Sequence, residues 1–283
     1  MDVGLRILEL ARTAGARSIF VVGTGKGVGK STTLNAIYEA AWRTGLRTGI
    51  ASVGHKPRWR LLPRTLFATA RALLPASPAC QIVASHGLES SAGAILYART
   101  VFTGEYDLIG PSTASGLRES IAAIESQCDV LLVDGAIDRI ATLAASDGAI
   151  VVACGAASAT TPAQAVGDAA ALIARLQIAA ATPNAATVEL AGALTATTAA
   201  ELIAAGERRE IVVRDATQIV MSATSLAQAL ARLRIRARRP LRVVAATVCA
   251  VAAERSFDPA PFLREVRDAT GVPSFDVFAG AAA

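Results

Sequence analysis

The stretch Ser18–Thr33 reads S-I-F-V-V-G-T-G-K-G-V-G-K-S-T-T and decides the fold class of this chain. Apolar residues 19–22 predict a buried strand, and the residues from Lys30 onward predict a helix. Glycines alternate with other residues between these two elements. Glycine lets successive N–H groups turn inward as an anion-binding nest. The start of the helix adds unpaired N–H groups and the positive end of its dipole. The stretch therefore predicts a polyphosphate-binding loop between a strand and a helix.

The residues predicted to bind the phosphates are consecutive along the loop and the first helical turn. They are Gly23, Thr24, Gly25, Lys26, Gly27, Val28, Gly29, Lys30, Ser31 and Thr32. Lys30 is predicted to reach the β- and γ-phosphates and Ser31 to bind Mg²⁺. ATP and Mg²⁺ are therefore the expected ligands. A chance glycine-rich turn is the alternative, and the flanking strand and helix disfavour it.

The loop departs from the pattern G-x-x-x-x-G-K-[ST], because Thr24 stands where the first glycine is expected. The variant G-T-x-x-x-x-G-K-[ST] resembles the loops of dethiobiotin synthetase and of cobyrinate and cobyric acid synthases. These enzymes belong to the branch of P-loop proteins that includes the MinD-type and signal-recognition GTPases. Many members of that branch carry a second lysine five residues before the loop lysine. Gly25 occupies that position here, so Lys26 is assigned no role between subunits.

A second signal is the segment Val130-Leu131-Leu132-Val133-Asp134. Four apolar residues that end in an aspartate are typical of a Walker B strand, whose carboxylate holds Mg²⁺ beside the phosphate loop. Asp134 is therefore predicted to bind the metal with Ser31 and to act in catalysis with Lys30. The alternative is an ordinary buried strand followed by a surface aspartate. Asp138 is a further acidic candidate, for which a helix N-cap is an equally good explanation.

Composition and charge restrict the class of protein. The chain has 283 residues and isolated cysteines, which favours a cytoplasmic protein with reduced thiols. No apolar run reaches the length of a membrane span, and the N-terminus does not resemble a signal peptide.

The net charge is +5. Part of it lies at Arg232, Arg234, Arg236, Arg238, Arg239 and Arg242. Because no aromatic residue interleaves this cluster, a solvated helix end and loop are favoured over nucleic-acid binding.

Strand and helix patterns alternate to the end of the chain, which predicts an α/β fold. The expected architecture is a three-layer P-loop NTPase domain with a mostly parallel central sheet. It spans residues 1–283, with a smaller C-terminal lobe from about residue 185 as an option. Residues 54–80 are punctuated by prolines, and a helix is predicted there over residues 65–74.

Base specificity is predicted from a missing motif. GTPases of this class read guanine with N-K-x-D, and neither asparagine of the chain, Asn35 or Asn184, begins that motif. This favours ATP over GTP, although a variant base pocket would still allow GTP.

Several blocks resemble the small P-loop proteins encoded beside cobalamin-dependent lysine 5,6-aminomutase. The blocks lie at residues 21–35, 56–58, 68–71, 110–117, 131–139, 192–195, 211–217 and 257–263. The resemblance implies an accessory or reactivating factor with that aminomutase as its partner enzyme. The chain departs from the family near Gly54, where relatives carry an acidic pair and this sequence has G-H-K-P. That departure puts hydrolysis in doubt and leaves phosphate binding unaffected.

Three functions remain open at this point. The first is an ATPase that acts as a conformational switch on a partner enzyme. The second is an ATP-dependent ligase of the dethiobiotin synthetase type, since Lys56 in G-H-K-P matches a lysine of that family. The third is a nucleotide-binding interaction protein without hydrolysis. A homodimer is compatible with each, and neither a membrane nor a nucleic acid is expected as a partner.

Overall fold

The helices and strands that position the site alternate along the chain. A computed structural model describes residues 2–75, 79–135 and 148–278. The helices are α1 (Val3–Thr13), α2 (Lys30–Arg43), α3 (Ala114–Glu125), α4 (Pro162–Leu176), α5 (Ala196–Ala204), α6 (Ala223–Arg232) and α7 (Pro259–Thr270). The strands are β1 (Ser18–Gly23), β2 (Thr48–Ser52), β3 (His55–Leu61), β4 (Leu66–Ala70), β5 (Cys80–Ala84), β6 (Glu89–Ser90), β7 (Gly93–Thr100), β8 (Gly104–Ile109), β9 (Val130–Asp134), β10 (Ala149–Gly155), β11 (Thr187–Glu189), β12 (Leu194–Thr195), β13 (Glu210–Val213), β14 (Ile219–Val220), β15 (Arg234–Ala237), β16 (Arg242–Cys249) and β17 (Ser274–Asp276).

The strand that leads into the phosphate loop lies in the middle of the main sheet. Within the described residues, the order across this sheet is β17-β16-β10-β1-β9-β2-β4-β7-β5, and β6 pairs with β7. Pairing is parallel from β17 to β4 and antiparallel at β7 and β5. The sheet is therefore mostly parallel, as predicted, and β1 has parallel neighbours on both sides.

Helices cover both faces of this sheet. Since successive residues of a strand point to opposite sides, each central strand contributes side chains to two cores. Ile19 and Val21 of β1 join a core with the apolar sides of α1 and α2. Phe20 and Val22 join the opposite core, which contains residues of α3, α4 and α7. The chain thus has the three-layer α/β architecture of a P-loop NTPase. Strands β1, β9 and β10 are buried along nearly their whole length, because helices cover both of their faces. Their sequences are therefore continuous apolar runs and do not alternate with polar residues.

The segment after the second strand differs from the prediction. The helix predicted over residues 65–74 is wrong, because residues 66–70 form β4, which pairs with β2 and β7. Its side chains are buried on both faces, so the sequence shows no alternation to distinguish a strand from a buried helix. Strand β3, just before it, pairs with β8 in a separate two-stranded sheet.

A smaller group of elements lies between α4 and β16. Strands β11, β13 and β15 form a parallel sheet, and its apolar residues share a core with α5 and α6. The chain then returns to the main sheet through β16 and β17. The division of the chain into domains stays a prediction.

The arginine cluster is partly engaged in contacts within this smaller group. Arg236 lies 3.4 Å from a carboxylate oxygen of Glu210, and Arg238 lies 2.7 Å from one of Glu189. Arg234 and Arg236 belong to β15. The centre of the cluster therefore lies on a strand that pairs with β13, and the prediction of a helix end and loop for this part of the cluster is wrong.

Candidate functional site

The phosphate loop is shaped by glycines with backbone angles that other residues rarely adopt. Gly27 has φ +77° and Gly29 has φ +88°. Gly29 also serves as the N-cap of α2, so the helix begins at Lys30. Val28, between them, is buried and anchors the loop to the core. The predicted order of strand, loop and helix is confirmed. The backbone N–H groups of the first turn of α2 follow directly after the loop.

Two further glycines of the loop are required by close packing. A Cβ on Gly25 would lie 2.5 Å from the Cβ of Ser158, and one on Gly23 would lie 2.9 Å from the carbonyl oxygen of Ala153. Both partners come from the end of β10 or the turn after it. The loop is therefore packed against the carboxyl end of β10.

Thr24 stands where the generic motif has glycine, and its side chain has a specific partner. The hydroxyl oxygen of Thr24 lies 2.9 Å from the hydroxyl oxygen of Ser158, and its N–H donates to Ala153 at 2.9 Å. Sequence reasoning missed Ser158, because it is distant from the loop along the chain and belongs to no motif.

The two residues predicted to be catalytic lie at the same edge of the sheet. Lys30 donates a hydrogen bond from its ammonium to the carbonyl oxygen of Gly25 and so folds back over the loop. Asp134 ends β9, directly beside β1, in register with Val21 and Ser52. Adjacent parallel strands thus bring the Asp134 carboxylate to the edge of the sheet where β1 leads into the loop, and its assignment as a Walker B residue stays a prediction.

Lys56 links the two predicted metal ligands. Its Nζ lies 3.0 Å from Ser31 Oγ and 3.2 Å from Asp134 Oδ2. The same Nζ lies 5.1 Å from the ring centroid of Trp59. One cation therefore contacts both the hydroxyl and the carboxylate that were assigned to Mg²⁺.

The donor set suits Mg²⁺. A hydroxyl and a carboxylate that converge on one positive charge are hard oxygen ligands, which magnesium prefers together with water and phosphate oxygens. Ser31 is exposed, and Asp134 is 16% exposed, so bound water has access. Ser31 and Asp134 are accordingly the residues that would hold the metal. Asp138 lies outside the described residues.

An acidic residue of β8 contacts the start of β3. Asp107 approaches the His55 ring, with Nε2 and Oδ2 3.5 Å apart, and accepts a hydrogen bond from the N–H of Arg58 at 2.8 Å. This carboxylate therefore organises the start of β3, the segment that the sequence analysis found to contain no acidic residue after Gly54.

Apolar residues at the ends of β16 and β17 lie beside the start of α2. A Cβ on Gly29 would meet Cys249 at 3.2 Å and Val277 at 3.8 Å. Cys249 and Val277 therefore pack against the residue that begins α2, whereas Val251 and Phe278, farther along the chain, are 61% and 46% exposed. Sequence reasoning did not identify this contact, because Cys249 and Val277 lie far from the loop along the chain.

A cavity of about 250 Å³ opens on the first residues of the loop. Its lining is Gly23, Thr24, Asp168, Ala171, Leu172, Arg175, Met221, Ala223 and Leu226. The Nε of Arg175 is buried without a hydrogen-bond partner, and burial lowers the pKa of this guanidinium. Lys56 is not among the residues that line this cavity.

In the part of the chain that the structure describes, no cluster of three or more His, Cys, Asp or Glu side chains is arranged to hold a metal ion. Cys80, Cys128, Cys154 and Cys249 are free thiols.

In residues 2–75, 79–135 and 148–278, no helix has both the length and the apolar character needed to cross a membrane.

Comparison with known proteins leaves the function open. No known protein family matches the sequence, and no curated protein does. Among solved structures, one match is the BceF tyrosine kinase domain, at 15% identity and a TM-score of 0.35. The match covers 58% of this chain and 68% of that one. The comparisons thus gave no sequence relative from the aminomutase-linked proteins or from the dethiobiotin synthetase branch, and both resemblances stay interpretations.

Proposed function

We propose that this chain binds ATP with Mg²⁺ at the loop 23–32 and hydrolyses it slowly to switch the conformation of its own surface. The observation that carries the proposal is the convergence of Lys30, Ser31 and Asp134 at one edge of the sheet. Ser31 and Asp134 contact a single cation, the Lys56 ammonium, at 3.0 and 3.2 Å. That arrangement supports a site for a metal–phosphate complex.

Each of these residues has a distinct task in the proposal. The loop N–H groups orient the phosphates, and Lys30 neutralises their charge. Bound Mg²⁺ would neutralise the charge that develops during transfer, held by Ser31 and Asp134.

The same geometry supports a switch. The N–H of Val53 donates to the carbonyl oxygen of Asp134 at 3.0 Å, which connects the metal ligand to the segment that leads into β3. A displacement at Asp134 on phosphate loss would therefore reach the β3–β8 surface. Loss of contacts to a γ-phosphate is a common trigger of such changes.

Isothermal titration of ATP, ADP and GTP, each with and without Mg²⁺, tests the proposal. We expect ATP and ADP to bind, GTP to bind more weakly, and Mg²⁺ to tighten ATP binding. Lys30→Ala should weaken ATP binding by roughly 100-fold or more, because a charge-assisted phosphate contact is lost. Asp134→Asn should abolish only the effect of Mg²⁺. Arg118→Ala, an exposed substitution on α3, is the control. Full ATP affinity in Lys30→Ala would refute the site.

The partner enzyme is a separate proposal. We infer from the motif resemblance that a cobalamin-dependent aminomutase is the partner, with the energy difference between ATP and ADP states driving release of a damaged cofactor. Addition of the purified aminomutase should raise the ATPase rate. An unchanged rate with any cobalamin enzyme would exclude this partner while leaving nucleotide binding intact.

A second candidate function is ATP-dependent transfer to a small acceptor, as in a ligase. The cavity beside Gly23 and Thr24 favours it, because Asp168 and Arg175 offer opposite charges among apolar walls. Lys56, the lysine that the dethiobiotin synthetase resemblance implicates, is not part of that lining. ATP consumption measured with a panel of small amines and acids separates the two functions. Turnover that depends on an acceptor and is lost in Arg175→Met would favour the ligase.

A further inference from the structure

Lysine is rare in this chain, and every lysine lies at the candidate site. Of the 28 lysine and arginine residues, three are lysines: Lys26, Lys30 and Lys56. The first two belong to the phosphate loop, and Lys56 contacts Ser31 and Asp134. A lysine ammonium is a compact charge with three donors, whereas an arginine side chain is a planar fork. The position between the Ser31 hydroxyl and the Asp134 carboxylate therefore holds a lysine, whose compact charge is closer to that of a metal ion than an arginine side chain would be.

The local backbone directs Lys56 toward these ligands. The pairing of β3 with β8 shifts register between Lys56 and Trp59, which is a bulge that re-aims side chains. Arg58, inside the bulge, has φ +53°, and its N–H is held by Asp107. Its guanidinium is also paired with Glu105 at 2.9 Å. The strained bulge is thus stabilised from β8, which supports a specific role for the direction of Lys56.

The Lys56 ammonium and Mg²⁺ compete for the same oxygens. Magnesium binds oxygen ligands at about 2.0–2.1 Å and requires a nearly regular octahedron. A divalent ion on Ser31 Oγ and Asp134 would lie beside the Lys56 charge in a partly buried site, where like charges repel strongly. The two cations cannot share this position.

We propose that Lys56 is a tethered cation that holds the metal position until Mg²⁺ enters with nucleotide and displaces it. The inference rests on the proposed function, since entry of the metal accompanies the phosphates. When Lys56 is displaced, it loses its contacts with Ser31, Asp134 and the Trp59 ring together, so binding of the metal changes the conformation at the bulge of β3. The conformation of the β3–β8 sheet then depends on whether the site holds a metal–nucleotide complex.

Metal affinity in the presence of ADP tests the competition. Mn²⁺ is titrated into the ADP-saturated protein and followed by electron paramagnetic resonance. Lys56→Met should bind Mn²⁺ about two- to fivefold more tightly than the unchanged protein, the range expected when a partly exposed ion pair no longer competes. Lys56→Gln is a second variant that keeps a polar side chain. Arg60→Met, an exposed cation on the same strand, should leave Mn²⁺ affinity unchanged.

Trp59 reports the displacement directly. In a Trp42→Phe background it is the remaining tryptophan of the chain, since the sequence has two. Its fluorescence should change when Mg²⁺ and ADP are added together and stay constant with ADP alone. Lys56→Met should remove that change.

The outcomes separate the two proposals. Unchanged or weaker Mn²⁺ binding in both Lys56 variants would overturn the tethered cation, and so would a Trp59 signal that ADP alone produces. Failure of ADP to bind the unchanged protein would instead refute the proposed function, and the inference with it.

Discussion

Thr24 and Ser158, separated by 134 positions in sequence, place their hydroxyl oxygens 2.9 Å apart. This hydrogen bond joins the phosphate loop to the turn that follows β10. It explains why a threonine is accommodated where the generic loop has glycine. It also makes the position of the loop dependent on a neighbouring strand.

Removal of this hydrogen bond should weaken nucleotide binding without unfolding the protein. Ser158→Ala loses a neutral hydrogen bond, worth about 0.5–1.5 kcal/mol. We expect roughly a three- to tenfold loss of ATP affinity by titration calorimetry. Ser126→Ala, beyond the far end of α3, is the control. Unchanged affinity in Ser158→Ala would show that the loop is positioned by its backbone alone.

Gly25→Ala should damage the loop more severely. The added Cβ would lie 2.5 Å from the Cβ of Ser158, so the loop or the turn after β10 must shift. We expect at least a roughly tenfold loss of ATP affinity, and partial recovery in the double variant Gly25→Ala/Ser158→Gly.

Gly167→Ala is the matched control for that substitution. It lies in α4 with nothing within 4 Å of its added Cβ, so it should stabilise the protein by about 0.5–1 kcal/mol. A destabilised Gly167→Ala would contradict the packing described for α4.

Gly4→Ala should destabilise the contact between α1 and α2. Its Cβ would overlap the carbonyl oxygen of Ala36, which forces the helices apart. The expected loss is about 1–3 kcal/mol of unfolding free energy, typical of overpacking, measured by urea denaturation. Gly192→Ala, which has nothing within 4 Å, should be close to neutral. Equal stability of the two variants would show that the helices tolerate a shift.

Asp129 should contribute stability that is lost in acid. Hydrogen bonds from the Arg47 side chain, and then from its backbone N–H, lower the pKa of Asp129 from 3.8 to about 2. A lowered carboxyl pKa stabilises the folded state above the unfolded value, so the contribution falls as the pH drops from 3.8 toward 2. The free-energy advantage over Asp129→Asn should stay below about 1 kcal/mol, since the pair is exposed, and should vanish once the pH falls below about 2. Arg47→Gln should remove the same pH dependence.

Thiol labelling should follow burial. Burial raises the pKa of Cys128 to about 11 and that of Cys154 to about 12, so both stay protonated at pH 8. Cys249 is also buried, whereas Cys80 is half-buried. We expect a disulfide reagent to label Cys80 first and the others only as the protein unfolds. Cys80→Ser should remove the first phase, and rapid labelling of Cys154 in the folded protein would contradict the core described here.

Strands and helices were predicted correctly where the local sequence marks their boundaries or their hydrophobic pattern. The predictions failed where a strand is buried on both faces, because its residues then do not alternate between apolar and polar. Helix α2 was predicted from Lys30 onward and begins at that residue, since the glycine-rich loop that precedes it marks its start. Residues 66–70 were predicted as helix and form a strand, because burial on both faces removes the alternation. Strand β3 was missed because Pro57 and the bulge interrupt its pattern.

The sequence by itself determined the order of strand, glycine-rich loop and helix and the position of Asp134 at the end of an apolar strand. Both depend on local spacing, and parallel strands end at the same edge of a sheet, so the pairing of β1 with β9 brings the loop and Asp134 to one edge. Only the tertiary structure decided which residues complete the site. Ser158 reaches Thr24 from the end of β10, and Lys56 reaches both metal ligands from a bulge. The physical reason is that strand order and register, set by packing of the whole core, bring together side chains that no local pattern connects.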